Sequence, residues 1–176
     1  WTNYSIGGNN IAPNITFITA IPDQTIVESG VRNVIFNFTV YDANGFTDIN
    51  FSNAQARFQK IGETTRSNST CLNVANYSTN YANFSCTIGI QYFDGAGTWT
   101  INTTITDNAV LKGENSTSSF LLQSSPFMTI APSSLSWATL FAGNLNNLAT
   151  NNPIIINNTG NQNVSINITA YDLLGE

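Results

Sequence analysis

The sequence contains no histidine. That removes the side chain most used as a general base near neutral pH and the commonest transition-metal ligand. Cysteine is limited to two residues, too few for a zinc site without histidine partners. Charge is scarce as well: 9% of the 176 residues are charged, against about 25% in an ordinary soluble chain. Only five residues are Lys or Arg, and the net charge is −5. Neutralising nucleic-acid phosphates takes clustered basic side chains, so nucleic acid is excluded as a partner, and docking on anionic lipid loses its driving force. No apolar run approaches the roughly 20 residues of a membrane-spanning helix, so no membrane insertion is expected. The chain opens at Trp1 with neither an initiator Met nor a signal-type segment, as a processed or trimmed polypeptide would.

What fills the space left by charge is Asn, Ser and Thr, at 27, 16 and 22 residues. Their order carries meaning. The N-linked sugar acceptor pattern, Asn-x-Ser/Thr with x not Pro, occurs twelve times: at Asn3, Asn14, Asn37, Asn50, Asn68, Asn76, Asn83, Asn102, Asn115, Asn157, Asn163 and Asn167. Chance in this composition gives roughly six. A sugar must point into solvent. Asn37, Asn83, Asn102 and Asn167 each fall one step off the apolar residues of an alternating segment, and Asn50 lies between Ile49 and Phe51. A one-residue slip would turn each of them into the core. Covalent glycans are therefore expected, with no other cofactor.

The alternation is of period two, which marks strands. Val34, Phe36, Phe38 and Val40 alternate with Ile35, Asn37, Thr39 and Tyr41. Phe84, Cys86, Ile88 and Ile90 form a second set, Trp99, Ile101, Thr103 and Ile105 a third. Ile15 with Phe17, Ala54 with Ala56 and Phe58, and Phe120 with Leu122 mark three more. Turn signals stand between them at Asn44-Gly45, Asp94-Gly95 and Lys112-Gly113. No segment has a helical period. The expected fold is all-β: an extended lead-in over residues 1–12, an antiparallel Ig-like sandwich over 13–124, and a second, smaller or incomplete Ig-like unit over 125–176. The second unit reads as about four strands, at 127–130, 135–141, 154–156 and 164–171. So few strands leave an inner face uncovered, so the unit is cut short or completed by something else.

Three smaller features bear on sites. Cys71 and Cys86 are expected to pair, closing a loop of about 15 residues and contributing roughly 3 kcal/mol. Asp42-Ala43-Asn44-Gly45-Phe46-Thr47-Asp48 has the oxygen density to hold Ca²⁺, but no Glu closes an EF-type loop. A hairpin turn on Asn-Gly explains it as well, and no metal site is assigned. Trp99 and Trp137 are read as core plugs of the two units. Catalysis finds no footing. There is no G-x-S-x-G elbow, and Asp94 and Asp107 flank one strand, too far apart for a glycosidase pair. No catalytic residue is assigned.

The run Tyr92-Phe93-Asp94-Gly95-Ala96-Gly97-Thr98-Trp99-Thr100-Ile101, continuing through Asn102-Thr103-Thr104-Ile105-Thr106-Asp107-Asn108, resembles the closing strands of PKD-type and related Ig-like domains. Val40-Tyr41-Asp42-Ala43-Asn44-Gly45 extends the resemblance over residues 15–124. In the second unit, Ser134-Leu135-Ser136-Trp137 and Asn158-Thr159-Gly160-Asn161 are similar to another such module. The chain looks most like the tandem domains of archaeal cell-surface glycoproteins. The cysteine pair departs from the inter-sheet spacing of Ig domains.

The resemblance implies an extracellular structural or adhesive role without catalytic residues. The leading expectation is a self-assembling surface glycoprotein, forming a filament or a surface layer, whose partners are copies of itself. Strand donation would come from residues 1–12 or 164–171. The alternatives are an adhesin module using the long loop at 62–82, and an accessory domain of a secreted hydrolase.

Overall fold

Segments that alternate β-branched or aromatic residues with Asn, Ser and Thr become strands because the pleat sends successive side chains to opposite faces. One face can then be buried while the other stays wet. The structure, a computed structural model, describes residues 9–141, 143 and 145–169. Its strands are β1 (Asn14–Ile18), β2 (Val31–Tyr41), β3 (Gln55–Gln59), β4 (Arg66–Asn68), β5 (Leu72–Tyr77), β6 (Tyr81–Gln91), β7 (Gly97–Thr106), β8 (Lys112–Leu122), β9 (Met128–Ala131) and β10 (Ile155–Asn158). No described helix is long and apolar enough to cross a membrane.

Two four-stranded antiparallel sheets, in the orders β1-β2-β6-β5 and β4-β3-β7-β8, make the sandwich. This is the strand order of an Ig-type fold, with β4 added to the second sheet. The inward set matches the alternation. Phe38, Phe84, Phe58, Trp99, Ile101 and Leu122 are fully or almost fully buried. Removing each such side chain from water contributes roughly 1.5–3 kcal/mol. Phe36 of β2 meets Phe58 of β3 across the sheets at 5.5 Å, and Phe38 stacks on Phe84 at 5.2 Å within one sheet. Trp99 is the expected core plug, and its indole N–H donates to the Gly95 carbonyl at 3.1 Å.

Local expectations fail at five places. Ile15 and Phe17 do not share a face: a bulge between them flips the phase, so Ile15 and Ile18 are buried while Phe17 is 58% exposed. Asn44-Gly45 is not a hairpin turn. The chain leaves β2 there, runs through 3₁₀ turns at Phe46–Asp48 and Phe51–Asn53, and crosses to β3 in the other sheet. Gly45 has φ 106°, a value that an L-residue adopts only with strain. Lys112-Gly113 lies inside β8 rather than at a turn. Gly113 is needed because a Cβ there would collide with the Pro13 carbonyl oxygen. The 62–82 loop is largely strand: β4, β5 and the first residues of β6 occupy it. In the second unit β9 and β10 are the strands among the described residues, pairing antiparallel. Residues 135–141 are not strand, nor are the described residues at 164–169, because no third strand among the described residues offers them a ladder. Trp137 is consequently 41% exposed instead of plugging a core.

The ends of the sandwich are tied along one seam. Asn115 of β8 donates its side-chain N–H to the Ile15 carbonyl of β1 at 2.9 Å. Further on, Gln24 donates its backbone N–H to Leu121 and accepts from Gln123, both at 2.8 Å. The second unit meets the first through Thr159, whose hydroxyl donates to Glu28 at 2.7 Å. Beside it Gly160 is buried against Ser125, where any Cβ would collide with the Ser125 carbonyl oxygen.

Candidate functional site

None of the eleven sequon asparagines among the described residues is buried. Asn3 lies outside the described residues. Asn14, Asn37, Asn76, Asn157, Asn163 and Asn167 are exposed; Asn50, Asn68, Asn83, Asn102 and Asn115 are half-buried. The asparagines differ in what their amides do. Among the described residues the exposed six donate no side-chain hydrogen bond, nor do half-buried Asn50 and Asn83, which only accept. Asn68 donates to the Thr87 carbonyl at 3.0 Å, Asn102 to Glu114 at 2.7 Å and Asn115 to Ile15. The Nδ2 that would carry sugar is thus already engaged at these three. Asn68 and Asn115 also accept from the backbone N–H two residues on, as Asx turns do.

Two sequons interlock in a way the linear sequence hides. In the β2–β6 register Asn37 faces Ser85 and Thr39 faces Asn83. Each asparagine therefore sits opposite the other sequon's hydroxyl residue, and Thr39 donates to Asn83 at 2.7 Å. The outer face of this sheet carries two adjacent acceptor sites.

Cys71 and Cys86 stand with their sulfurs at bonding distance, 1.98 Å, and Cα atoms 4.6 Å apart. The bond joins Cys71, immediately before edge strand β5, to central strand β6 of the same sheet, not to the facing sheet. It therefore closes a hairpin rather than the long loop expected from the sequence.

The sandwich has an acidic group at each end of β7. At one pole Asp94 is buried, but Arg66 answers it with a two-pronged ion pair and the Gln91 backbone N–H donates to it at 2.8 Å. Donating hydrogen bonds to the Asp94 carboxylate raises the Arg66 guanidinium pKa further. At the other pole Asp42 and Asp107, both fully buried, converge with half-buried Asp48. One carboxylate oxygen from each lies within 4.8 Å of the other two. Asp42 sits just past β2, Asp48 on the first 3₁₀ turn and Asp107 just past β7. Burial pushes the Asp42 carboxyl above its usual range, opposed by the Asn44 backbone N–H and assisted by the charges of Asp48 and Asp107. Asp107 was missed as a partner of the 42–48 segment because 59 or more residues separate them; the Ile49–Asp107 bridge brings them together.

Beyond β8 the apolar side chains face water. Met128 and Ile130 of β9, with Ile154, Ile155 and Ile168, are between 45% and 80% exposed. Met128, Ile130, Ile154, Ile156, Ile166 and Ile168 line a groove of about 560 Å³. The proposed donor segments fall partly outside the described residues, at 1–8 and 170–171. No family model matches the chain and no curated protein or solved structure is similar to it, so the resemblance to PKD-type domains rests on the strand and turn residues that suggested it.

Proposed function

We propose that the chain is an extracellular structural glycoprotein that assembles with copies of itself into a surface filament or surface layer. The observation that carries this reading is the uncovered second unit. A two-stranded sheet is marginal by itself in water, and one face of this one, with the 165–169 segment, lines a groove rich in isoleucine. A strand from a neighbouring copy, from its 1–12 or 164–171 segment, extends the β9–β10 ladder and covers the groove. A second copy suits the surface better than a charged ligand, because the groove is lined by Met and Ile with Ser, Asn and Thr and carries no charged side chain.

The sugar-acceptor pattern supports the extracellular part of the reading, and a disulfide persists in an oxidising compartment. Glycans on exposed sheet faces supply the solubility that a charge content of 9% does not. They also block assembly through faces, which directs it to edges and ends.

Electron microscopy of native material tests the assembly: filaments or a lattice are expected. Native material that stays a monodisperse monomer, binding instead a saturable ligand near 62–82, would favour the adhesin reading and sink this one. Intact mass of the same material tests the sugar, with at least four sequons modified as the expected result.

A further inference from the structure

The acidic pole of the sandwich places three negative groups together without a cation to answer them. Among the described residues the ion pairs are Lys60–Glu63, Arg66–Asp94 and Lys112–Glu114, and none involves Asp42, Asp48 or Asp107. The hydrogen bonds at the pole use only part of its capacity. Asp42 Oδ1 accepts from the Asn44 backbone N–H at 2.7 Å. Asp107 accepts from Leu111 N–H at 2.8 Å and from the Asn10 amide at 2.9 Å. Asp42 Oδ2 is fully buried and has no hydrogen-bond partner among the described residues. A buried carboxylate oxygen left bare costs several kcal/mol in principle, so native proteins rarely keep one without a ligand.

We propose that Asp42, Asp48 and Asp107 bind a divalent cation, and that the cation is Ca²⁺. The donors are all oxygens, with neither imidazole nor thiolate, which selects a hard ion over zinc or copper. Ca²⁺ takes oxygens at about 2.3–2.6 Å, so two of its ligands can stand roughly 5 Å apart, which admits the observed spread. Mg²⁺ takes them at about 2.0–2.1 Å and would require the carboxylates to close further. The opposite pole supplies an internal control: Asp94 is buried to the same degree, and there the chain provides Arg66. Where no basic side chain is provided, the compensating charge comes from solution.

The site also holds the incoming chain. Asn10 reaches Asp107, and the Ile11 N–H donates to the Asn44 side chain at 2.9 Å. Ca²⁺ at this pole fixes the loop after β2, the turn after β7 and residues 10–11 in one cluster.

The test is a calcium titration of chelator-treated protein, read by calorimetry and by thermal unfolding, with Mg²⁺ as comparator. One equivalent of Ca²⁺ is expected to bind. At about 100-fold over Kd it raises Tm by roughly 5–10 °C. Mg²⁺ gives a smaller shift, and Asp48→Asn weakens Ca²⁺ binding at least tenfold. Asp48 is half-exposed, so this variant retains the fold; were it to unfold, the titration of the unaltered chain still decides. No heat and no Tm shift at about 10 mM Ca²⁺, above the range of extracellular calcium modules, overturns the proposal. So does an undiminished shift in Asp48→Asn, which places the ion elsewhere. So does stabilisation by mild acid that Ca²⁺ does not reproduce, which means a proton neutralises the pole.

Discussion

In the sandwich, Phe38, Phe58, Phe84 and Trp99 lose all contact with water, while beyond it Trp137, Phe141, Leu148 and Ile168 keep between 41% and 80% of theirs. The residue types are the same; the number of strands is not. Eight strands in two sheets give each apolar face another to lie on, so alternation is converted into burial. Two strands have one ladder and two faces, and among the described residues no further strand packs on either. The lesson is that hydrophobic pattern specifies which side of a strand is sticky, whereas the count of neighbours decides whether that side is satisfied internally. In the second unit the same pattern leaves apolar side chains exposed among the described residues.

The largest effect that would break this contrast comes from truncation on either side of it. Phe84→Ala opens a cavity in the sandwich and should cost about 3–5 kcal/mol in urea unfolding. Ile168→Ala, which leaves no cavity, should change the stability of the isolated chain by less than about 0.5 kcal/mol while weakening assembly. An equal cost at both positions would mean that the second unit packs internally. Next comes the disulfide. Replacing Cys71 and Cys86 by Ser should remove roughly 3 kcal/mol, seen as a lower denaturant midpoint, because a loop of about 15 residues is released in the unfolded chain.

A smaller effect separates the two kinds of sequon. Asn115→Ala removes the bond to Ile15 and the turn to Thr117, and should cost about 1–2 kcal/mol even in unglycosylated protein. Asn37→Ala should be nearly silent in stability and visible only as lost sugar mass. The finest effect is a slope with pH. In metal-free protein Asp42 binds its proton more readily folded than unfolded, since its carboxyl is raised above 3.8 by burial and faces Asp48 and Asp107. Stability from this group therefore increases as pH falls through the raised folded value, is fully present below 3.8, and is lost again as pH rises. Asp42→Asn should flatten that part of the profile. Glu114 works the other way: the hydrogen bond from Lys112, then that from Asn102, lowers its pKa, so its contribution is present at neutral pH and lost on acidification.

Much of the sandwich was legible because burial follows parity. The even residues 34–40 and 84–90 and the odd residues 99–105 all turn inward, as their alternation requires. The same parity carried a signal that composition concealed. Asp42, Asp94 and Asp107 each continue the inward phase past the end of a strand, and all three are buried. A carboxylate in an apolar phase marks a polar requirement inside the fold. That Asp94 would meet Arg66, and that Asp107 would meet Asp42 and Asp48, depends on the crossing between sheets and could not be read along the chain. Phe17 was misread because a bulge shifts phase without changing composition. Residues 135–141 and 164–171 were read as strands from their own alternation, but 135–141 and the described 164–169 are not, because a strand also needs a neighbour's backbone, which only topology supplies.

The seam between the first and last strands has a mechanical consequence. The chain enters the sandwich at the acidic pole, where Asn10 touches Asp107, and leaves at the far end of β8, beside Gly97. At about 3.3 Å per residue, the ten-residue strand β7 sets these points roughly 30 Å apart. A pull on the two ends therefore runs lengthwise through the domain. It loads the paired bonds of Gln24 with Leu121 and Gln123 together, in shear, along with the Asn115–Ile15 tie, instead of opening them one after another. The disulfide lies on the opposite edge, outside the line of force, and holds β5 while the seam bears the tension.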